Sequence, residues 1–240
     1  MKINKVFLIL LVLASSLAVY FVVSAPKKID ENVTSMNEVT TQKRLQYFTT
    51  NYYKDQRTDL VASALLFIDG NSIMEERRAF GPLMAFFNRI FHDNPKLNAQ
   101  WAEELKKAKV SVRVAFLKSM NLSEAKLLEE YSLSPMKIDM YWALFFASGE
   151  LNYVDKVLSS LPLYAQEKDA IGFLAAGSAK WTLALNARNH TIIAQYLEKI
   201  KKDASSPYQK YMEEILSIEP KVIHEAVMEK VNNNKEKGIW

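Results

Sequence analysis

The sequence of 240 residues contains no cysteine, and it has only six glycines, seven prolines and three histidines. Without cysteine the chain cannot form a disulfide, a thiolate zinc site or a cysteine nucleophile. The few glycines and prolines argue against collagen-like, low-complexity and turn-rich all-β designs. Hydrophobic residues make up 49% of the chain, which is enough for a buried core and excludes disorder of the whole chain.

The chain also lacks a large excess of charge of either sign. It has 31 basic and 27 acidic residues, and Lys2 and Lys5 precede the first apolar run, which leaves 29 basic residues against 27 acidic ones. Proteins that bind nucleic acid by neutralising phosphates need a clear excess of positive charge. We therefore expect no nucleic-acid partner.

The longest apolar segment covers residues 6–25, which carry no charge and follow a basic start. A run of that length is sufficient to span a bilayer, so residues 1–25 are predicted to be a signal-anchor. A cleaved signal peptide is the alternative, with its cleavage site near Ala25. We favour the anchor because Pro26 beside the scissile bond would hinder processing. The basic residues before the run favour a folded part outside the cytoplasm, in a bacterial cell envelope.

The remainder of the chain divides into a tether and a folded part. Residues 26–37 are polar and charged and are interpreted as the tether. Residues 38–240 have helical spacing in almost every segment, as at Leu97, Trp101 and Leu105, and are predicted to form a single all-helical domain. The predicted fold class is all-α, either a bundle or a short solenoid of helical hairpins, preceded by the N-terminal hydrophobic segment.

Some helix boundaries can be read from local signals. Ser134-Pro135 and Ser206-Pro207 each place an N-cap residue before a proline, which predicts a helix start. Asp93-Asn94-Pro95 predicts a break. Residues 109–117 alternate polar and apolar side chains, which is strand periodicity. We favour a helix because no second strand of similar quality is present to pair with it.

A weak internal repeat relates residues 142–161 to residues 181–200. Both copies are predicted to be helix, turn and helix, with breaks at Ser148-Gly149 and Arg188-Asn189. The period of about 39 residues lies in the range of helical-hairpin repeats. Two hairpins that share core positions by chance are the alternative. The matched pairs are Trp142 and Trp181, Leu144 and Leu183, Val154 and Ile193, Leu158 and Leu197, and Leu161 and Ile200.

Two stretches carry a resemblance to known proteins. They are residues 139–155, DMYWALFFASGELNYVD, and residues 179–190, AKWTLALNARNH. The region from about 139 to 200 resembles a loose group of uncharacterised exported helical proteins of bacteria. The resemblance implies an all-helical fold and implies no activity.

Searches for catalytic and metal-binding patterns give no candidates. No two of the three histidines, His92, His190 and His224, lie within a helical turn of one another, and all three are predicted to be solvated surface residues. The glycine-flanked serine of hydrolases and the phosphate-binding loop are both missing. We therefore predict no catalytic, cofactor-binding or metal-binding residues and lean against an enzyme.

The polar end of the helix around Trp181 is the candidate binding region. Its side chains either cap the helix or line a groove, and the possible binding patch comprises Arg188, His190 and the turn around Glu150. A second feature is a basic run that we expect to be a solvated face, with contact to an anionic surface as the alternative. It comprises Lys106, Lys107, Lys109, Arg113 and Lys118.

The leading hypothesis is a non-enzymatic, exported or membrane-tethered helical protein that binds another macromolecule. A protein partner is expected, and residues 6–25 would contact the membrane. One alternative is a binder of a small apolar ligand that uses the aromatic helix around Tyr141, Trp142, Phe145 and Phe146, although core packing explains those residues as well. The other is an enzyme whose site is not visible in the sequence.

Overall fold

A computed structural model describes residues 36–240 of the chain, and all regular secondary structure in this range is helical. The prediction of an all-α fold is confirmed. No helix in this range is both long and apolar enough to cross a bilayer. The predicted signal-anchor and residues 26–35 of the predicted tether lie outside the described residues.

The described chain divides into two compact units. The amino-terminal unit comprises residues 36–132 and 139–150, and the carboxyl-terminal unit comprises residues 133–138 and 151–240. The prediction of one domain over residues 38–240 stays a prediction.

The amino-terminal unit contains six complete helices and most of a seventh. They are α1 (Gln42–Asp55), α2 (Val61–Gly70), α3 (Arg77–Asp93), α4 (Asn98–Glu104), α5 (Val110–Asn121), α6 (Glu124–Glu129) and α7 (Pro135–Ser148). The first turn of α7 belongs to the other unit. Short 3-10 helices lie at Thr58–Leu60, Ile73–Glu75, Pro95–Leu97 and Leu105–Lys107.

The core of the amino-terminal unit is aromatic. Phe87 and Phe91 lie one turn apart on α3 and are fully buried against Phe116 of α5. The rings of Phe87 and Phe116 meet edge to face with centroids 5.2 Å apart, which is a favoured geometry for aromatic pairs. Trp101 packs on Phe91 at 5.6 Å. These rings hold α3, α4 and α5 together.

Residues 110–117 of the alternating segment are confirmed as helical, because α5 covers Val110–Asn121, and Lys109 is the residue before the helix. Val112 and Phe116 lie four residues apart and are buried, so they form the inward face of the helix. Val110 and Val114 lie on the outward face and are exposed. The alternating sequence therefore reflects a helix with apolar side chains on both faces.

The carboxyl-terminal unit is arranged around a long buried helix. Its elements after α7 are α8 (Asn152–Leu158), a 3-10 helix (Leu161–Ala165), α9 (Ala170–Asn189), α10 (Thr191–Lys202), α11 (Gln209–Ser217) and α12 (Pro220–Glu236). Helix α9 is buried on nearly all sides. Its Gly177 lies so close to α12 that a Cβ there would be 2.7 Å from Val227 Cγ1.

Most predicted boundaries agree with the structure. Helix α3 ends at Asp93, α7 begins at Pro135 and ends at Ser148, and α9 ends at Asn189. The prediction at Ser206-Pro207 was wrong in its position, because α11 begins only at Gln209. The Ser206 hydroxyl instead accepts a hydrogen bond from the Tyr208 amide, which forms a turn before the helix.

Candidate functional site

Glu150 is held by an ion cluster of the amino-terminal unit. Its carboxylate accepts hydrogen bonds from both terminal nitrogens of the Arg89 guanidinium, one of them at 3.1 Å. Arg89 also binds Asp93 at 2.8 Å and lies 3.9 Å from Glu124. A bidentate arginine-carboxylate pair fixes geometry strongly. Arg89 therefore ties the turn after α7 to helix α3 across 61 residues of sequence.

Arg188 connects three parts of the carboxyl-terminal unit. Its guanidinium donates to the Ala184 carbonyl at 3.1 Å and to the Ile218 carbonyl at 2.6 Å, and it lies 3.5 Å from the Glu219 carboxylate. The Ile218 carbonyl belongs to the short link between α11 and α12. Carbonyls at a helix end have no partner within the helix, so a cation there is stabilising. These contacts account for Arg188 as a structural side chain.

His190 is buried, with 6% of its surface exposed. The prediction that it is a solvated surface residue was wrong. The reason is its place between two packed helices, where its amide donates to the Asn186 carbonyl and α10 begins at the next residue. His92 is exposed, and His224 is partly exposed beside the ring of Trp181.

The predicted patch therefore draws on both units. Glu150 belongs to the amino-terminal unit, and Arg188 and His190 belong to the carboxyl-terminal one. Glu150 and Arg188 each have ion pairs within their own unit, with partners that sequence reasoning did not identify. That Glu150, Arg188 and His190 bind a ligand or partner stays a prediction.

A second candidate site lies wholly in the carboxyl-terminal unit and was missed in the sequence. The Nζ atoms of Lys180 and Lys230 lie 4.6 Å and 4.9 Å from the centroid of the Tyr164 ring. That ring stacks on Phe173 at 4.8 Å, and Trp240 packs on Phe173 at 5.4 Å. We call these five residues the lysine-tyrosine cluster. No local motif marks it, because its members come from three helical elements and the last residue of the chain.

Two carboxylates balance the lysines of the cluster. Lys180 Nζ lies 2.6 Å from Glu214 Oε1, and Lys230 Nζ lies 2.8 Å from Glu167 Oε1. The hydrogen bond and charge of Lys230 hold the pKa of Glu167 below its usual value. Burial, followed by the charges of Glu214 and Glu167, raises the pKa of Tyr164. The phenol is therefore protonated at neutral pH, and the cluster has no ionised nucleophile in Tyr164.

An open depression adjoins the lysine-tyrosine cluster. Its volume is about 530 Å³, within the size range of ligand sites. The indole N–H of Trp240 donates to the carbonyl of Glu167, which holds the C-terminal residues beside the depression. Four of its six lining residues are of polar type. The lining comprises Ala165, Gln166, Glu167, Lys168, Asp169 and Ile239.

Helix α9 begins at the edge of this depression. The Asp169 carboxylate caps the helix by accepting from the Gly172 amide at 3.0 Å, so the helix N-terminus already has an internal anion. Ile171 lies in the first turn and is 59% exposed. The depression therefore combines polar lining residues with an exposed apolar side chain close by in the sequence, a combination typical of protein interfaces.

Residues 36–240 contain no candidate metal site, because no group of three or more histidine, aspartate or glutamate side chains in this range could hold an ion.

Three comparisons with known proteins give no further guidance. No family model matches the chain, and neither a curated protein nor a solved structure is similar to it at a significant level.

Proposed function

We propose that this protein is an exported or membrane-tethered helical module that binds a protein partner and is not an enzyme. Its place would be a bacterial cell envelope, anchored in the inner membrane by residues 6–25 with the helical part outside the cytoplasm. Export after cleavage near Ala25 is the alternative. The proposal is supported by the uncharged run at residues 6–25 and by the helical structure of residues 36–240. The resemblance over residues 139–200 points the same way.

The hairpin repeat is proposed as the origin of part of the fold. All five residue pairs related by the repeat are buried in both copies. In addition, the helix breaks fall close to equivalent positions, after Ser148 in the first copy and after Asn189 in the second. Duplicated helical hairpins stack to build extended binding surfaces.

The observation that carries the proposal is the exposed Ile171, which follows the lining residue Asp169 by two positions in the first turn of α9. Apolar side chains of this size are mostly buried in the protein, and interface centres commonly place one against a polar rim. By contrast, the aromatic side chains considered for an apolar ligand pocket are packed against one another, as Trp142, Phe145 and Phe146 show. That packing favours a macromolecular partner over a small apolar ligand.

The partner surface can be tested by site-specific photocrosslinking in the native membrane. A photoreactive phenylalanine at position 171 is expected to give a discrete adduct. The matched control is position 222 on α12, where Val222 is 51% exposed in the same unit. The substitution Ile171→Glu should abolish recovery of that partner, whereas Val222→Glu should leave it unchanged. Equal adducts at both positions, or co-purification of the same partner with the Ile171→Glu variant, would contradict the proposal.

The membrane assignment is tested separately by fractionation of the untagged protein. A full-length mass in the membrane fraction is expected for the anchored form. A soluble product that lacks about the first 25 residues, the length of the predicted segment, would indicate export after cleavage. A full-length protein in the soluble fraction would contradict both forms of the proposal.

A further inference from the structure

We infer that the outward face of helix α5 docks on the surface of an anionic lipid bilayer. This face, here called the basic face, lies in the amino-terminal unit and includes the 3-10 turn before the helix. It comprises Lys106, Lys107, Lys109, Val110, Arg113, Val114 and Lys118. The inference rests on the proposed membrane tether, because a bilayer must be close to the folded part.

The basic face presents apolar side chains to solvent on the most exposed side of the helix. Val110 and Val114 are 64% and 57% exposed, the former being the most exposed large apolar side chain of residues 36–240. Because they are four residues apart, they lie one above the other on one stripe. Arg113 and Lys118 lie on either side of that stripe by helical geometry. Apolar residues flanked by long basic side chains are typical of helices that lie in a membrane interface.

The charge of this segment suits phosphate-bearing lipids. Residues 105–121 contain five basic residues and no acidic one. Arg113 makes no ion pair with any residue of 36–240. The four lysines lie within 4.0 Å of carboxylates on neighbouring elements, namely Glu103, Glu104, Glu75 and Glu130.

Those ion pairs do not prevent lipid binding. Every lysine of the four is more than half exposed, and pairs of exposed, flexible side chains are weak and screened by salt. A bilayer offers many anionic headgroups at once, so each ammonium can exchange its carboxylate for a phosphate. The lysine stems are long enough to reach headgroups while the valines approach the acyl boundary.

The chain path brings the basic face within reach of the anchor. The first described residues are fixed to the start of α2, where Val39 N donates to Ser63 Oγ at 3.0 Å. Lys109 N donates to Asp69 Oδ2 near the end of the same helix, at 3.2 Å. The helix rises by about 9 Å along its axis between Ser63 and Asp69.

The sequence between the proposed anchor and the first described residue is long enough to let the basic face reach the bilayer. Residues 26–35 lie between the apolar run and Met36, and a segment of that length can extend to at most about 35 Å. This maximum extension is several times the rise of about 9 Å along α2 between Ser63 and Asp69. A bilayer that holds residues 6–25 is therefore accessible to α5, and the tether raises the local concentration of lipid at the basic face.

The absence of cysteine allows a direct test with the full-length chain. Val114→Cys, labelled with an environment-sensitive fluorophore, is reconstituted into vesicles of phosphatidylcholine alone or mixed with phosphatidylglycerol. We expect a blue shift and quenching by spin-labelled lipid only in the mixed vesicles, and loss of both at high salt. The control label is Ala226→Cys, an exposed position of α12 that should not respond.

A charge variant tests the mechanism. Lys107→Gln, Arg113→Gln and Lys118→Gln combined should lower the ratio of docked to undocked protein about a hundredfold, at about fivefold for each charge removed near the surface. The matched control is Lys221→Gln, Lys235→Gln and Lys237→Gln, which removes three exposed charges of the α12 region and should have no effect. Thermal unfolding of both variants checks that the fold is retained.

The outcomes separate this inference from the proposed tether. If the full chain does not float with either vesicle, membrane anchoring itself is wrong. If it floats with both but the probe at position 114 responds equally in neutral and anionic vesicles, docking on anionic lipid is overturned. A probe that stays solvated in both vesicles also overturns the inference, because position 114 then does not contact lipid.

Discussion

Helices α9 and α12 are in contact at Gly177. Whether a substitution of Gly177 lowers or raises the free energy of unfolding depends on one neighbouring side chain, that of Val227. Gly177→Ala would place a new Cβ 2.7 Å from Val227 Cγ1. Carbon atoms in favourable contact are about 3.5–4.0 Å apart, so one helix must move by about 1 Å. Valine cannot relieve the clash by rotating, because its branched Cβ leaves one strongly preferred rotamer in a helix.

Two opposing effects set the size of the change in the free energy of unfolding that Gly177→Ala causes. Overpacking of a buried contact costs about 1–3 kcal/mol. Replacing glycine by alanine inside a helix contributes about 1 kcal/mol in the opposite direction. We therefore expect Gly177→Ala to lower the free energy of unfolding by about 1 kcal/mol. In a Val227→Ala background the clash disappears, and the same substitution should raise the free energy of unfolding by up to about 1 kcal/mol.

Urea unfolding followed by helical circular dichroism measures these differences. Gly70→Ala is the matched control, because a Cβ at this last residue of α2 would meet no atom within 4 Å. Gly70→Ala should leave the free energy of unfolding unchanged or raise it. If Gly177→Ala stabilises the protein as much as Gly70→Ala does, or if its effect is the same with and without Val227, the close approach of α9 and α12 is wrong.

Three further predictions follow from the packing and electrostatics. Phe87→Ala removes a fully buried ring and should cost about 3–5 kcal/mol of unfolding free energy in urea titrations; a cost below about 1 kcal/mol would contradict the packed aromatic core. The pKa of Glu167 is held low by Lys230, so their pair contributes stability above the ordinary carboxyl pKa that is lost as the pH falls through the lowered value. In Lys230→Met, NMR titration should show the Glu167 pKa rising towards normal, and an unchanged value would refute the pairing. Asp169→Ala removes the cap on Gly172 N and should cost about 1 kcal/mol with faster amide exchange there, whereas Asp169→Asn should retain most of the stability.

Sequence signals that act within one helical turn predicted the helix boundaries well. The start of α7 at Pro135 and the end of α3 at Asp93 both follow from residues adjacent to the boundary. The lack of a partner strand correctly predicted a helix in the alternating segment, which is helical from Val110 onward. The start of α11 lies two residues later than predicted, because the Gln209 amide donates to the Ser206 carbonyl in a tighter i+3 turn before the α-helix begins.

The candidate sites were much less accessible to sequence reasoning. Glu150 was singled out, but its partner Arg89 lies 61 residues away and no local pattern connects them. His190 reads as a polar residue at a helix end, yet packing buries it. The lysine-tyrosine cluster could not be anticipated, because Tyr164, Lys180 and Lys230 each look ordinary in their own segments.

The sequence by itself determined that the described chain is helical, that its charge is balanced and that thiol chemistry is excluded, because these depend on composition and on spacing within a few residues. Only the tertiary structure decided which face of α5 is exposed and which side chains surround Tyr164. Both depend on which helices pack together, and that choice is made by burial and by ion pairs between residues far apart in the chain.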